Sequence, residues 1–241
     1  MSRNTLEGLD VVYMIKDAVY NDELRYSLRS LEKNVSGIRH VWFYGGRQTS
    51  VRPDRQVVVK QKGETKWDKV RVMLKMVGEN NKITEDFLLF NDDFFVMQPI
   101  TELPPYAYGT LEQLCRRIER KNWGKPTPYT LKLEDTIKTL ERDGLPTYNF
   151  ELHVPVVLNR QRLLKIIEKY PDTKGTRSLY GNSYLVGDIQ PMKDVKIFES
   201  KTIPDPSSVF LSTEDLSFSN GVVGKFIRES FPSKSRWERQ P

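Results

Sequence analysis

The stretch Phe87-Leu88-Leu89-Phe90-Asn91-Asp92-Asp93-Phe94-Phe95 places two carboxylates and a carboxamide inside a run that is otherwise apolar. The four apolar residues at its start predict a buried strand, so the acids lie at the carboxyl end of that strand. A carboxylate removed from water is costly without a cation or hydrogen-bond donors, and Asp92 and Asp93 therefore need a metal ion, an arginine or backbone donors nearby. An ordinary strand-to-turn junction explains the same residues equally well, because Asn and Asp favour turns.

Strands and helices alternate on the amino-terminal side of this run. Short apolar and β-branched segments predict strands at residues 9–15, 39–44, 56–60 and 86–90. Apolar residues spaced three and four apart predict one helix that begins after Asn21 and another at residues 67–79. This order predicts an α/β fold with a mostly parallel central sheet flanked by helices. Ligands of such sheets bind at the carboxyl ends of the strands, where the two acids are expected.

The pattern loosens after Pro99, where prolines and glycines mark loops. Helices are predicted at residues 110–121 and 134–142 and, after an Asn159 cap, up to Tyr170. Residues 150–158 predict a strand that Pro155 interrupts. We expect the 241 residues to form a single domain.

Composition indicates a soluble globular chain, 38% hydrophobic and 29% charged. No apolar run approaches the ~18 residues of a membrane span, and the first residues lack the apolar core of a signal peptide, so a cytoplasmic location is expected, in a bacterial cell or a virus-infected host cell. The single cysteine, Cys115, excludes a disulfide within the chain. The formal charge of +6 predicts an anionic partner, which the charge alone does not distinguish among nucleic acid, nucleotide sugar and phosphorylated glycan.

Several motifs occur together in a recognisable order. Residues 21–33 read Asn-Asp-Glu-Leu-Arg-Tyr-Ser-Leu-Arg-Ser-Leu-Glu-Lys, residues 91–95 read Asn-Asp-Asp-Phe-Phe, and residues 153–155 read His-Val-Pro. With residues 10–13 near the start and 231–238 near the end, these segments resemble successive conserved regions of the Stealth family. Residues 104–147 and 188–207 show no such resemblance. The Thr-Trp-Val-Asp-Gly that follows the first strand in larger members is replaced by Met-Ile-Lys-Asp at residues 14–17, which leaves the sugar and the acceptor open.

The resemblance implies a single transferase domain on a core similar to GT-A glycosyltransferases. Such an enzyme moves a sugar or a sugar-1-phosphate from a nucleoside-diphosphate sugar to an acceptor hydroxyl on a glycan. It implies a nucleotide-sugar-binding half at about residues 1–100 and an acceptor-binding and catalytic half at about residues 101–241. No membrane span is expected.

Donor binding is expected to involve the acids and several cations. Asp92 and Asp93 offer hard oxygen ligands to Mg²⁺ or Mn²⁺, which would bridge the diphosphate, and Asn91 could add a ligand or bind the sugar. Arg25 and Arg29 lie four residues apart on one helix face and are expected to clamp phosphate, the ordinary alternative being two arginines that face water. A further cation expected at the donor phosphate is Lys69.

One of the two histidines is expected to be catalytic. An imidazole suits a general base for an acceptor hydroxyl, and the His-Val-Pro motif assigns that role to His153, whereas a lone histidine is otherwise a packed core residue. His40 is expected to be structural. The resemblance also implies that Arg177 binds phosphate.

Two functions from other classes remain open. A transferase of the same fold that glycosylates hydroxymethylated bases in viral DNA would fit the basic charge. A non-catalytic module that binds nucleotide or carbohydrate would retain the same pocket.

Overall fold

The computed structural model describes residues 5–16, 20–60 and 63–239, which form strands and helices in alternation. The strands are β1 (Asp10–Ile15), β2 (Val41–Gly45), β3 (Arg55–Val58), β4 (Asp86–Asn91), β5 (Phe94–Val96), β6 (Tyr106–Ala107), β7 (Val156–Asn159), β8 (Gln190–Pro191), β9 (Lys196–Ile197) and β10 (Phe210–Thr213). The α-helices are α1 (Asp22–Asn34), α2 (Lys66–Glu79), α3 (Leu111–Lys121), α4 (Pro128–Arg142), α5 (Arg160–Lys169), α6 (Thr176–Tyr184), α7 (Asp215–Asn220) and α8 (Val222–Ser230).

The central sheet has the strand order β3-β2-β1-β4-β7. Strands β1 to β4 run parallel, and β7 joins the edge of β4 in the antiparallel direction. The predicted α/β fold with a mostly parallel sheet is confirmed. The chain places β2 and β3 on one side of β1 and then β4 on the other, so the order reverses between β1 and β4. In open α/β sheets a ligand crevice lies at the carboxyl ends of the strands that flank such a reversal.

Helices cover both faces of this sheet because β1 is apolar at five of its six positions and buried at all six. Successive side chains of a strand point to opposite faces. Val12 and Met14 accordingly pack in a cluster with residues of α2 and α5. Val11, Tyr13 and Ile15 pack in a separate cluster with the leucines of α1. Burial on both faces is the usual condition of a parallel sheet.

A second sheet, β5-β10-β9, continues from the central sheet through the acidic turn. Asp92 and Asp93 form the turn between the end of β4 and the start of β5. β10 pairs antiparallel with β5 and parallel with β9. Strands from the second half of the chain, β7 and β10, therefore complete sheets that begin in the first half.

Two predictions from the sequence are wrong in their extent. Residues 150–155 form no strand, and only Val156–Asn159 pair with β4. Phe150, Leu152 and Val154 alternate with polar residues and are buried, as in a strand. The backbone N–H groups of this segment, however, donate to acceptors in loops rather than to a neighbouring strand. The helix predicted at 134–142 begins earlier, at Pro128, because Thr127 caps it and proline suits the first helical position.

Candidate functional site

Asp92 lies at the carboxyl end of β4, beside the reversal in strand order, and is held by the residue that begins α1. The Asn21 side chain accepts a hydrogen bond from the Leu24 backbone N–H as the helix N-cap, at 3.0 Å. Its amide Nδ2 donates to Asp92 Oδ2 at 2.6 Å. One asparagine therefore starts α1 and fixes the orientation of the first acid. The predicted N-cap is confirmed.

Asp93 is bound by two residues of the second half of the chain. Lys196 Nζ, on β9, lies 2.8 Å from Asp93 Oδ2, and Ser212 Oγ, on β10, donates to the same oxygen at 3.1 Å. The side chains of Asp93 and Lys196 are 13% and 16% exposed, so the pair is largely withdrawn from water. The second acid therefore has the cation that its burial requires.

A third carboxyl group, Glu23 of α1, lies near enough to Asp92 and Asp93 for their charges to disfavour its ionised form. Burial, together with the nearby Asp215, Asp93 and Asp92, raises the pKa of Glu23 to about 8, although a hydrogen bond from Thr213 opposes the shift. Burial and then the neighbouring Asp93 charge raise the pKa of Asp92 to about 6, although Lys16 and Asn21 favour its charged form. Proximity and burial therefore disfavour the ionised forms of Asp92 and Glu23, and an added cation would favour those forms.

The donor set at this turn fits a divalent cation that is shared with a phosphate. Within residues 5–16, 20–60 and 63–239, no group of three His, Cys, Asp or Glu side chains has metal-ligand geometry. Mg²⁺ does not require such a cage, since it is commonly held by one or two carboxylates together with substrate phosphate oxygens. Asp92 and Asp93 supply that number of carboxylates, and Asn91 is exposed beside them at the end of β4.

His153 forms a pair with a carboxylate that the sequence did not indicate. Its Nδ1 lies 3.0 Å from both carboxylate oxygens of Asp194, and its backbone N–H donates to Asp194 Oδ1 at 3.0 Å. Burial alone would raise the pKa of Asp194, but the contacts with His153 hold it below its usual value. An imidazole whose Nδ1–H faces a carboxylate presents Nε2 as a proton acceptor. This arrangement suits a general base.

Lys196 connects the acidic turn to the His153–Asp194 pair. While its amine contacts Asp93, it also lines a groove of about 830 Å³ whose wall includes His153 and Asp194. The ring of Phe94, the residue after Asp93, packs edge-on against the His153 imidazole with centroids 6.4 Å apart. The acids and the histidine thus belong to one continuous region of the molecule.

Arg177 lies beneath the His153 loop rather than on an open surface. It donates from an Nη to the carbonyl of Val154 at 2.7 Å, and its Nε is buried without a hydrogen-bond partner. Burial lowers the pKa of Arg177 to about 10, although Glu151 and Asp194 favour its charged form. Its position indicates that it holds the loop that carries the histidine. A phosphate contact for Arg177 stays a prediction.

Arg25 and Arg29 face the C-terminal segment. Glu238 accepts hydrogen bonds from Nε and Nη2 of Arg29 at 2.6 and 2.8 Å, and from Nε and Nη2 of Arg25 at 3.2 and 3.1 Å. Arg29 also donates to the carbonyls of Phe231 and Pro232. The side chains of Arg29 and Glu238 are only 6% and 3% exposed. This buried ion pair competes with the predicted phosphate clamp, which stays a prediction.

Replacing Glu238 and Arg29 separately distinguishes the two roles of the arginines. Removing one partner of a buried ion pair leaves the other charge uncompensated and costs about 3–5 kcal/mol, so Glu238→Gln and Arg29→Ala are both expected to lower the free energy of unfolding by that order. Urea denaturation measures this loss. If Arg29 binds donor phosphate as well, Arg29→Ala alone will weaken donor binding per folded molecule. Equal donor affinity in the two variants would contradict the clamp.

The pH dependence of stability provides a second measurement of this ion pair. Burial alone would raise the pKa of Glu238, but Arg29 and the Ser235 backbone lower it to about 2, from a reference value of 4.5. A lowered carboxyl pKa contributes stability above pH 4.5 that is lost as the pH falls toward 2. The difference in unfolding free energy between the wild-type protein and Glu238→Gln should therefore narrow across that range. A constant difference would contradict this account.

Lys69 lies at the start of α2, which follows the carboxyl end of β3, and its side chain is partly exposed. It is therefore on the same edge of the sheet as the acidic turn, and its contact with donor phosphate stays a prediction. His40 lies at the opposite edge, with Nδ1 3.4 Å from the Asp10 carboxylate at the start of β1. That position agrees with the structural role expected for His40.

Known proteins resemble this chain distantly. No protein-family model matches it. An exopolysaccharide phosphotransferase of Streptomyces coelicolor is 22% identical over 169 residues, which cover 64% of this chain and 29% of that protein. The predicted resemblance to the Stealth family is confirmed at this distance. The chain spans less than a third of that relative's length, so the relative's full activity does not transfer directly.

Two solved glycosyltransferases align along most of the chain. The galactosyltransferase LgtC, solved with donor and acceptor sugar analogs, has a TM-score of 0.48 at 12% identity and covers 97% of this chain and 98% of its own. The glycosyltransferase GlyE of Streptococcus pneumoniae TIGR4 has a TM-score of 0.46 at 12% identity, and its alignment covers 94% of this chain and 61% of GlyE. Both scores lie below 0.5, and neither likeness assigns a substrate.

The residues that the sequence did not indicate are those that complete the site. Asp194, Lys196 and Ser212 carry no local pattern that separates them from ordinary polar residues. Glu23 lies inside the Stealth-like segment at residues 21–33, which is a signal for it. Lys196 and Asp194 lie in a stretch with no family resemblance, and only the fold brings them to His153 and Asp93.

In the part of the chain that the structure describes, the longest helices are amphipathic, and none combines the length and apolar character of a bilayer-spanning segment.

Proposed function

We propose that this protein is a divalent-cation-dependent transferase. It moves a sugar or a sugar-1-phosphate from a nucleoside-diphosphate sugar to a hydroxyl of a glycan acceptor. The observation that carries the proposal is the Lys196 contact, which joins the Asp92–Asp93 turn at the reversal in strand order to the groove containing His153 and Asp194. Such a reaction needs both parts, because the diphosphate must be neutralised and the acceptor hydroxyl must lose a proton.

Asp92 and Asp93 would hold Mg²⁺ or Mn²⁺ together with the diphosphate of the donor. The bound cation would neutralise the charge that develops on the leaving phosphate. Asn21 fixes Asp92 from the start of α1, and Ser212 and Lys196 fix Asp93 from the second sheet. The acids are therefore oriented before the donor arrives. Lys69 and Arg177 are the further candidates for contact with donor phosphate.

His153 would take the proton of the acceptor hydroxyl at Nε2 while Asp194 holds Nδ1. The acceptor oxygen then bonds either to the anomeric carbon, with release of a nucleoside diphosphate, or to the sugar-linked phosphorus, with release of a nucleoside monophosphate. In both cases the imidazolium that forms is stabilised by the Asp194 carboxylate. The carboxylate also fixes the tautomer that the reaction requires.

Analysis of the released nucleotide tests the proposal and separates the two reactions. The protein is incubated with Mg²⁺ or Mn²⁺ and a panel of nucleoside-diphosphate sugars, with an oligosaccharide acceptor and without one. We expect one donor to yield nucleoside monophosphate or nucleoside diphosphate, faster with acceptor than without. Donor binding without release of either nucleotide across the panel would indicate a non-catalytic module and contradict the proposal.

A further inference from the structure

The groove beside His153 has one wall made by a single face of α3. Leu114, Arg117, Ile118 and Lys121 all line it, at helical spacings of three, one and three. Residues three and four apart share one face of a helix, so this face presents two apolar side chains and two cations together. Thr110 fixes the start of α3 by capping it. Arg116 and Arg120, on the same helix, do not line the groove.

The segment that carries Asp194 and β9 forms another part of the wall. Lys193 and Phe198 line the groove from this side, and Phe198 is 58% exposed. Tyr108, which is 38% exposed, adds a second exposed ring, whereas Tyr129 is half-buried and stacked on Trp67. The exposed rings of Phe198 and Tyr108 provide flat apolar surfaces for the apolar faces of a ligand's rings.

Charges in the groove divide into those already paired and those that face solvent. Asp194 pairs with His153, Lys196 with Asp93, and Glu151 with Lys132 at 2.6 Å. The exposed charged side chains of the lining are Arg117, Lys121 and Lys193, against the single acid Glu199. The groove therefore offers a net positive surface beside its aromatic rings, with a proton acceptor in its wall.

We propose that this groove binds the acceptor and selects an acidic oligosaccharide, a chain of sugar rings that carry carboxylates. The inference rests on the function proposed above and names its acceptor class. Sugar rings pack on Tyr108 and Phe198, and the carboxylates meet Arg117, Lys121 and Lys193. A single-stranded nucleic acid also has rings and charge, but its binding sites have a continuous positive track along the backbone. The exposed acid Glu199 interrupts such a track here.

Three ligands of equal length test the proposal by calorimetry on the full chain without donor: hexagalacturonate, maltohexaose and hexathymidylate. An exposed ion pair is worth up to about fivefold in affinity, so the three cations together are expected to contribute at least about tenfold. We therefore expect hexagalacturonate to bind at least about tenfold more tightly than maltohexaose, which lacks the carboxylates. Hexathymidylate should bind more weakly than hexagalacturonate.

A matched pair of variants places the binding in the groove. Arg117→Glu/Lys121→Glu reverses the two cations of the groove face and is expected to weaken hexagalacturonate binding by at least about tenfold. Arg116→Glu/Arg120→Glu makes the same charge change outside the groove on the same helix and should alter binding by less than about threefold. The melting temperature of each variant confirms that it is folded.

Three outcomes would overturn the proposal: equal binding of the acidic and neutral hexasaccharides, equal losses in the two double variants, or tighter binding of hexathymidylate that the groove variant removes. The last would identify a nucleic-acid groove. Donor binding is measured separately with cation and nucleotide sugar. If donor turnover is observed but hexagalacturonate is not selected, the groove proposal is wrong and the proposed transferase function stands. If hexagalacturonate is selected but no donor is turned over, the transferase function is wrong and the groove still binds acidic oligosaccharide.

Discussion

Replacement of His153 by alanine is expected to lower transfer by about 10²–10⁴-fold, the usual contribution of a general base. Donor affinity and melting temperature should change little, because the imidazole lies in the groove wall with 31% of its side chain exposed. A limb of the wild-type pH–rate profile along which the rate falls at acid pH should be absent from His153→Ala. Turnover per folded molecule, measured with melting temperature on the same preparation, decides the result.

Two control variants separate catalysis from packing. His40→Ala removes the other histidine, at the opposite edge of the sheet beside Asp10, and should leave turnover per folded molecule unchanged. Asp194→Asn keeps the shape of the His153 partner without its charge. It should reduce the rate, because the imidazolium formed during transfer loses the carboxylate that stabilises it. A destabilised His153→Ala protein with near-normal turnover per folded molecule would refute the catalytic assignment.

Replacement of Asp93 by asparagine is expected to abolish the cation-dependent binding of nucleotide. In the wild-type protein, Mg²⁺ or Mn²⁺ should bind weakly alone and more tightly with a nucleoside diphosphate, whose phosphate oxygens fill the remaining coordination positions. At a ligand concentration of about 100 times the dissociation constant, the complex should be stabilised by about 2.7 kcal/mol. Thermal shift with and without EDTA measures this stabilisation, which Asp93→Asn should lose.

The Asp93→Asn variant needs a matched control because it also breaks the contact with Lys196. Asp135→Asn removes an exposed carboxylate of α4 and should retain the full nucleotide-dependent shift. Lys196→Met removes the lysine ammonium group while keeping both acids. The variant should therefore still bind Mg²⁺ or Mn²⁺, but it should be less stable than the wild-type protein when no metal ion is present. Nucleotide-dependent stabilisation of the wild-type protein that persists unchanged in EDTA would exclude the metal role.

Local sequence pattern determined most of the central sheet and its helix starts. The burial of β1 on both faces follows from its almost fully apolar sequence. Asn21, Thr110 and Asn159 start helices because their side chains accept from a backbone N–H three residues ahead. The Asp92–Asp93 turn at the carboxyl end of a central strand follows from four apolar residues that end at two acids. These features depend on neighbours within a few residues, which a sequence displays directly.

Tertiary structure alone decided what the acids and the histidine contact. Asp194 meets His153 from 41 residues away, and Lys196 meets Asp93 from 103 residues away. Glu238 binds Arg29 across 209 residues, so the arginine predicted to clamp phosphate also takes part in a buried ion pair. Residues 150–155 were predicted as a strand, but they form a loop whose apolar side chains are buried in the core. Hydrophobic alternation reports burial, whereas strand pairing and charge pairing depend on which distant segment the fold brings alongside.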